Sequence, residues 1–412
     1  MFNTNIKRWV LFALLVLVAF GVGWLIYRLM WQPSSTTVPP TSDTNNSTST
    51  FPTAETGGQP NIIINPEELP TAGTENTTDI TDNTITTPET IRDNKITQRS
   101  SNNTLNPTIA PDGGLQYYDR YSEKFYRLDT SGETQELVDK TFPNVQTIDW
   151  ATDKTKAVMS FPDGSKIIYD FSSNRQVTLP SHWEEIKFSP DSNRLAFKSM
   201  GNNADNIYVG IVNADGSGAR SVEKIGNNAD KVIISWSPSG QVIAMLTEGD
   251  SFDGKTVYFM GLNKENFRSL NIEGRGFQPL WSPSGSQLLY SIYSSANQYK
   301  PSLWITNASG EDIGNSNRPL NLNTYAKKCT FVDNSNIYCA VPRSLPEGAG
   351  LIESLSKDSL DNLYLINTIT GEKQVIDIGG NYNINNLLYS ETEKALYFMD
   401  SRDNQMHRLS LI

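Results

Sequence analysis

One ten-residue pattern recurs along this chain and constrains its fold more than any other feature. It reads FSPDSNRLAF from Phe188, WSPSGQVIAM from Trp236 and WSPSGSQLLY from Trp281. An aromatic residue closes one apolar stretch, Ser-Pro and small polar residues form a tight turn, and a second apolar stretch follows. The pattern therefore predicts a β-hairpin that is used several times.

Weaker copies of the same turn bring the number of aligned positions to seven. The landmark residues are Ile109, Trp150, Phe188, Trp236, Trp281, Phe331 and Tyr389. Their spacings of 38 to 58 residues suit a four-stranded blade, because two or three further short apolar runs follow each landmark. We expect an all-β propeller over residues 106–412, with seven four-stranded blades and six as the alternative. The landmark tryptophans are expected in the core between blades.

The unit from Phe188 to Arg220 resembles the TolB-like propeller repeat, and more broadly WD-like repeats. It has the aromatic-Ser-Pro-Asp turn, an apolar strand, an Ile-Tyr strand and an Asp-Gly turn in the same order. The units at Trp236 and Trp281 keep this order with Ser-Gly in place of Asp-Gly. The resemblance implies the fold but not the function, since this repeat serves as scaffold, binding surface and peptidase gate.

The last unit ends one strand short at Ile412. A propeller with an incomplete blade would leave an exposed edge, so the ring needs a strand from elsewhere in the chain. We expect part of the segment Ile91 to Ser100 to provide it.

The N-terminal region predicts a membrane anchor. Trp9 to Tyr27 is uncharged and long enough to span a bilayer, and Lys7 and Arg8 precede it. We expect residues 1–8 in the cytoplasm, a transmembrane signal anchor over 9–30, and a periplasmic or extracellular body. The alternative is a cleaved signal peptide, with Ala19 and Gly21 as the small residues before the cut. Residues 31–105, rich in Thr, Ser, Asn and Pro, are predicted to be a disordered linker.

The charge of the chain argues against nucleic acid as a partner. The formal net charge is -11, and residues 32–106 hold nine acids against three bases. Binding a polyanion requires clustered lysine and arginine to displace counterions. The acidic charge is otherwise typical of a soluble domain.

Two cysteines, Cys329 and Cys339, lie in one hairpin-like stretch. A three- or five-residue loop would place them directly opposite on neighbouring strands, whereas a four-residue loop would not. The sequence leaves two possibilities for this pair, a disulfide bond or two buried free thiols. A metal site is not expected, because two ligands without a nearby histidine fall short of the usual four.

No catalytic motif is present, and the sequence indicates a protein that is not an enzyme and carries no cofactor. His182 and His407 have no plausible nucleophile or ligand set beside them. Residues 249–256, GDSFDGKT, match a phosphate-loop expression, but apolar strands flank them on both sides, which predicts a hairpin loop.

Loops between the second and third strands are long in units three to six, and the longest runs from Val341 to Leu360. Such loops leave a blade at one end of the ring, so binding is expected on that face. The residues predicted to bind a partner are Tyr299, Lys300, Arg343 and Glu347. Within the longest loop, Leu351, Ile352 and Leu355 recur at helical spacing, which predicts a short helix over 348–359.

These observations favour a non-catalytic binding or scaffold module at the cell envelope. Its partner would be a protein, peptide or glycan. Two alternatives are a propeller glycan hydrolase or lyase with carboxylates in the channel, and a sensor subunit of a membrane complex. A pair of buried carboxylates facing each other at the channel mouth would favour the enzyme.

Overall fold

The computed structural model describes residues 96–98, 103–249 and 251–411. Within them the chain forms seven antiparallel sheets of four strands each. The predicted seven-bladed all-β propeller is confirmed, and the six-bladed alternative is wrong.

The strands are numbered in chain order and are given for each blade from the innermost outwards. Blade 1 has β2 (Thr104–Ile109), β3 (Leu115–Asp119), β4 (Lys124–Leu128) and β5 (Thr134–Glu136). Blade 2 has β6 (Thr147–Trp150), β7 (Lys156–Ser160), β8 (Lys166–Asp170) and β9 (Arg175–Leu179). Blade 3 has β10 (Trp183–Phe188), β11 (Arg194–Met200), β12 (Ile207–Asn213) and β13 (Arg220–Lys224). Blade 4 has β14 (Val232–Ile234), β15 (Val242–Gly249), β16 (Gly254–Gly261) and β17 (Leu270–Glu273).

Blade 5 has β18 (Arg275–Trp281), β19 (Gln287–Tyr293), β20 (Ser302–Asn307) and β21 (Arg318–Pro319). Blade 6 has β22 (Cys329–Phe331), β23 (Asn336–Pro342), β24 (Asp361–Asn367) and β25 (Lys373–Ile376). Blade 7 has β26 (Ile384–Ser390), β27 (Ala395–Asp400), β28 (Gln405–Ser410) and β1 (Ile96–Gln98). Short 3-10 turns are formed by Ala204–Asn206, Gly226–Lys231, Ser295–Asn297, Gly310–Asp312, Ala326–Lys328 and Glu353–Ser356.

The core lies between the blades. The buried apolar residues form clusters, one at each of the seven junctions between neighbouring blades. At the junction of blades 2 and 3 the rings of Trp183 and Phe197 stack with their centroids 3.6 Å apart. Trp236 is buried at the junction of blades 3 and 4, and Trp281 packs against the cluster between blades 4 and 5. These landmarks are therefore core residues, as predicted.

The ring closes through strands from both ends of the described chain. β1 pairs antiparallel with β28, with Ile96 opposite Leu409 and Gln98 opposite His407. The closing strand thus lies within the segment 91–100 that was expected to provide it. Ordered structure therefore begins before residue 106, inside the stretch that composition assigned to the linker.

The two ends of the ring differ. Successive strands are antiparallel, so connections between second and third strands leave at one end, together with the links from blade to blade. We call this end the loop face, and the end with the turns after first and third strands the turn face. Because Ile96 pairs near the end of β28, the chain reaches the ring at the turn face.

The long connections are less confined to the loop face than expected. In blade 4 the predicted loop is largely strand, since β15 runs to Gly249 and β16 begins at Gly254. This also confirms that the residues matching a phosphate loop form a hairpin. On the turn face, residues 262–269 and 308–317 are longer than tight turns. The longest connection remains residues 343–360 on the loop face.

Cys329 and Cys339 stand directly opposite each other on β22 and β23. The amide of Val332 donates to the carbonyl of Asn336 at 2.8 Å, so the connection has the three-residue form. The two sulfur atoms are bonded, with an S–S distance of 2.10 Å.

The predicted membrane span, Trp9 to Tyr27, and nearly all of the predicted linker lie outside the described residues. Over the part of the chain that is described, no helix has the length and apolar character needed to cross a membrane.

Candidate functional site

The longest loop, residues 343–360, is fixed to blades on both sides. Towards blade 5, the Gly348 amide donates to the carbonyl of Gln298 at 2.9 Å, and the Gly350 amide donates to that of Tyr299 at 2.7 Å. A Cβ atom at Gly350 would lie 2.5 Å from Cβ of Tyr293, so only glycine allows this approach. Towards blade 7, the side-chain amide of Asn383 donates to the carbonyls of Ser356 and Lys357. The loop is therefore a bridge with a defined shape.

The predicted binding residues lie on different sides of this bridge. Tyr299 is half-buried and has a positive φ of 53°. Lys300 is half-buried, and its backbone amide donates to the carbonyl of Asn297. Both belong to blade 5. Glu347 is exposed on the loop itself.

Arg343 is exposed where the loop leaves blade 6. Its Nε atom donates to Asn362 at 2.9 Å and its Nη1 atom to Asn381 at 2.7 Å. Arg343 therefore lies on the blade 7 side of the bridge and Tyr299 on its blade 5 side. These four residues do not form a single cluster. All four nevertheless belong to the loop face.

A charged and aromatic cluster around Arg275 was missed by the sequence analysis. The guanidinium carbon of Arg275 lies 4.2 Å from the ring centroid of Phe252, 5.6 Å from that of Tyr293 and 5.5 Å from that of Tyr299. Its Nε atom lies 3.3 Å from a carboxylate oxygen of Asp253. Cations over aromatic faces are attracted by the ring quadrupole. The cluster therefore connects the loops of blades 4 and 5 where the bridge docks.

The local sequence explains why Arg275 fits there. It is flanked by Gly274 and Gly276, and Gly276 has a φ of 65°. A Cβ atom at Gly276 would lie 2.2 Å from the ring of Tyr293. The Gly-Arg-Gly sequence at the start of an inner strand was the available signal for a specialised position.

Asp253 completes the cluster. Its second carboxylate oxygen accepts hydrogen bonds from the hydroxyl and the amide of Ser295, at 2.6 and 3.1 Å. The Ser295 hydroxyl bond, with the nearby Arg275 charge, lowers the pKa of Asp253. The carboxylate therefore stays ionised and keeps its attraction for Arg275.

The predicted short helix over 348–359 is wrong. The structure has one 3-10 turn at Glu353–Ser356, and Leu351, Ile352 and Leu355 are 49%, 57% and 47% exposed. A helical segment this short needs an apolar surface to pack on, because nucleation is costly. Here the close contact of Gly350 fixes the backbone instead. These three side chains form what we call the apolar ridge.

A polar cavity of about 250 Å³ lies beneath the same loop. One of its lining residues is Lys328, whose ammonium donates to both carboxylate oxygens of Asp361 behind it, at 2.9 and 2.8 Å, and both side chains are buried. Asp361 also accepts a 2.7 Å hydrogen bond from the Ile384 amide. Burial raises the pKa of Asp361, and the Lys328 charge offsets part of that effect. We call this the loop cavity.

Three carboxylates on inner strands and in blade 7 have basic partners. On inner strands, Asp149 pairs with Lys187, and Glu185 lies 2.5 Å from the ammonium of Lys198. In blade 7, the buried Asp400 pairs with Arg402 at 2.6 Å. Among the described residues, no three His, Cys, Asp or Glu side chains are grouped so that they could hold a metal ion.

The chain has no match to any protein-family model or curated protein. Among solved structures it is similar to the β-propeller domain of Cps50 (Swd1) from Myceliophteria thermophila, with 10% identity and a TM-score of 0.51 over 77% of this chain and 100% of that one. It is also similar to streptogramin B lyase, with 12% identity and a TM-score of 0.50 over 77% of this chain and 98% of that one. They share the β-propeller fold.

A third similar structure is the tricorn protease, with 12% identity and a TM-score of 0.49. The match covers 79% of this chain but only 34% of the protease chain. At identities this low, the likeness to the first two structures shows the fold alone.

Proposed function

We propose that this chain is a non-catalytic binding or scaffold module of the cell envelope that holds a protein partner on its loop face. The observation that carries the proposal is the apolar ridge, because three large apolar side chains are exposed on a loop that is held from both sides. Exposed apolar residues grouped together and rimmed by polar ones typically mark interaction sites. A preordered loop also loses little entropy on binding.

Phe252 extends the apolar character towards blade 4. It is 67% exposed and is held by Arg275. Aromatic residues are enriched at the centres of protein interfaces. A protein surface fits these residues better than a glycan does, since a glycan offers few apolar groups to cover leucine and isoleucine.

The proposal includes the membrane anchor at Trp9 to Tyr27, with the propeller on the outer side of the membrane. β1 enters the ring at the turn face, which is the end opposite the loop face on which we propose that the partner binds. The disulfide between Cys329 and Cys339 supports an oxidising compartment. Alkaline carbonate extraction of membranes tests the anchor, because an integral protein stays in the pellet.

Crosslinking with mass spectrometry on cells expressing the full-length chain tests the binding role. The test variant is Leu351→Ser, Ile352→Ser and Leu355→Ser combined. The control variant is Ile369→Ser with Val375→Ser. It removes two apolar side chains, each 62% exposed, from the outer part of blade 6. We expect one envelope protein to be captured by the wild type and the control and to be lost by the test variant.

Equal capture by all three proteins would contradict the proposal. Absence of any specific protein, combined with binding or cleavage of an envelope glycan by the full-length chain, would favour the glycan hydrolase or lyase instead.

A further inference from the structure

The loop cavity has a chemical character that the binding role by itself does not explain. Its lining residues include three lysines, Lys327, Lys328 and Lys357, and one acid, Glu353. Glu353 pairs with Lys327, and Asp361 pairs with Lys328 from behind. No carboxylate of the described residues lies within ion-pair distance of Lys357, and its neighbour Asp358 is exposed and is not part of the lining, so the lining holds one more cation than these two carboxylates balance. In a protein of net charge -11 this is a local positive site.

Two further cations lie beside the cavity. Arg343 and Arg402 both donate to Asn381, one to its side chain and the other to its backbone carbonyl. Arg402 is compensated by Asp400, whereas Arg343 bonds to neutral amide oxygens. The charge of Arg343 acts on Asp361, the buried partner of Lys328. Within the described part of the chain, Arg343 is therefore a second cation near this loop without a carboxylate partner, while Asp403 beside Arg402 offsets part of the local positive charge.

Some of the remaining lining residues carry hydrogen-bond donors that can satisfy an anion. They include the amide side chain of Asn385 and the hydroxyls of Ser354 and Ser401. Asn383 is only 4% exposed and holds the loop in place, so the cavity does not need to form when a ligand arrives.

The size of the cavity limits what it can hold. A volume of about 250 Å³ is below the range typical of small-molecule and cofactor sites, which begins at about 300 Å³. It suits one side chain or a small anionic group. The apolar ridge is on the same loop, so an occupant must offer apolar groups next to its anion. An acidic sugar lacks those groups.

We infer that the loop cavity receives a carboxylate of the partner, from an Asp or Glu side chain flanked by apolar residues that cover the ridge. This inference rests on the proposed protein-binding function and adds the chemistry of the partner. Lys357 and Arg343 attract the carboxylate, and Asn385 and Ser401 donate hydrogen bonds to it. Charge-assisted hydrogen bonds of this kind are about twice as strong as neutral ones.

Ligand-observed NMR with the full-length chain tests the inference. The probes are acetyl-Leu-Glu-Leu-amide and acetyl-Leu-Gln-Leu-amide, which differ only in the charge of one side chain, together with glucuronate. We expect the Glu peptide to bind at least about fivefold more tightly than the Gln peptide, with a preference that weakens as salt is added. Lys357→Gln should remove the preference. Lys373→Gln, the same charge change on exposed β25, should leave it intact.

Equal binding of the two peptides would overturn the inference, and so would tighter binding of glucuronate than of the Glu peptide. Crosslinking of the partner distinguishes failure of the carboxylate inference from failure of the proposed protein-binding function. Loss of capture in the ridge variant but unchanged capture in Lys357→Gln would leave the proposed function standing and refute the carboxylate. Loss of capture in both variants supports both.

Discussion

Ile96 lies directly opposite Leu409, so the last blade is completed by residues from both ends of the described chain. Ile96 packs against the cluster between blades 6 and 7, in which Leu409 and Phe398 are fully buried. The closure therefore depends on a strand of only three residues, Ile96–Gln98.

Replacing Ile96 by Asp should destabilise the propeller by about 1–3 kcal/mol, because it places a charge in a partly buried apolar site. Urea unfolding followed by tryptophan fluorescence measures the change. The control is Gln135→Asp on β5, an exposed residue of the outer strand of blade 1, which should change stability by less than about 0.5 kcal/mol. Equal effects of the two substitutions would mean that closure does not depend on Ile96.

Replacing only one member of the buried pair of Lys328 and Asp361 should strongly reduce the free energy of unfolding. Lys328→Met leaves a buried carboxylate without its cation, which typically costs about 3–5 kcal/mol. The double variant with Asp361→Asn should cost clearly less than the sum of the single variants, since the Asn oxygen can still accept from the Ile384 amide. Equilibrium unfolding of the four proteins gives the coupling energy. Additive costs would show that the pair does not act as a unit.

Arg275→Lys should loosen the loops around it without unfolding the ring. Lysine keeps the charge, but it lacks the planar group that packs against Phe252, Tyr293 and Tyr299. Hydrogen exchange at the Ser295 and Gly350 amides should become faster by about fivefold, which corresponds to roughly 1 kcal/mol of lost interaction. Arg220→Lys on exposed β13 is the control. Unchanged exchange at both amides would show that the cluster does not order the loops.

His407 should make the protein less stable in weak acid. It is 9% exposed and its ring stacks on that of Phe398, with Asp400, Asp403 and Arg402 as the charged groups nearby. Burial lowers its pKa, so below about pH 6.5 the unfolded chain binds a proton that the folded protein does not. Stability should therefore fall as the pH drops from 6.5 through the folded pKa, by at most about 1.4 kcal/mol per pH unit.

The measurement is the melting temperature between pH 8 and pH 5 for the wild type and for His407→Phe. Phenylalanine keeps the stacking but does not titrate. The carboxylates titrate in both proteins, so the difference between the two curves isolates His407. Parallel curves would exclude this histidine as the cause.

The blades were predictable because the core between them repeats in phase with the chain. Landmarks such as Trp150, Phe188 and Trp281 end their inner strands in the structure. The weak turn patterns of the individual repeats therefore reinforced one another as evidence for the fold. Closure was predictable for a similar reason, since a unit that lacks its outer strand leaves an unpaired edge.

The candidate site was predictable only in part. The longest loop and Tyr299 were identified from loop length and residue type. The cluster around Arg275 was not, because Phe252, Tyr293 and Tyr299 come from separate connections that meet only once blades 4 and 5 are side by side. Leu351 and Leu355 were misread because their spacing matches a helix, whereas tertiary contacts at Gly350 determine the backbone.

The pairing of Ile96 with Leu409 also sets an order of events during biosynthesis. β1 is the first strand of the ring to be made and β28 is the last, so the seventh blade cannot be completed before residue 409 has emerged. Until then the nascent propeller is an open arc, with apolar faces of blades 1 and 7 uncovered, and such intermediates are prone to aggregate. During synthesis the unclosed ring must therefore be kept from associating with other chains until β28 is available to pair with β1.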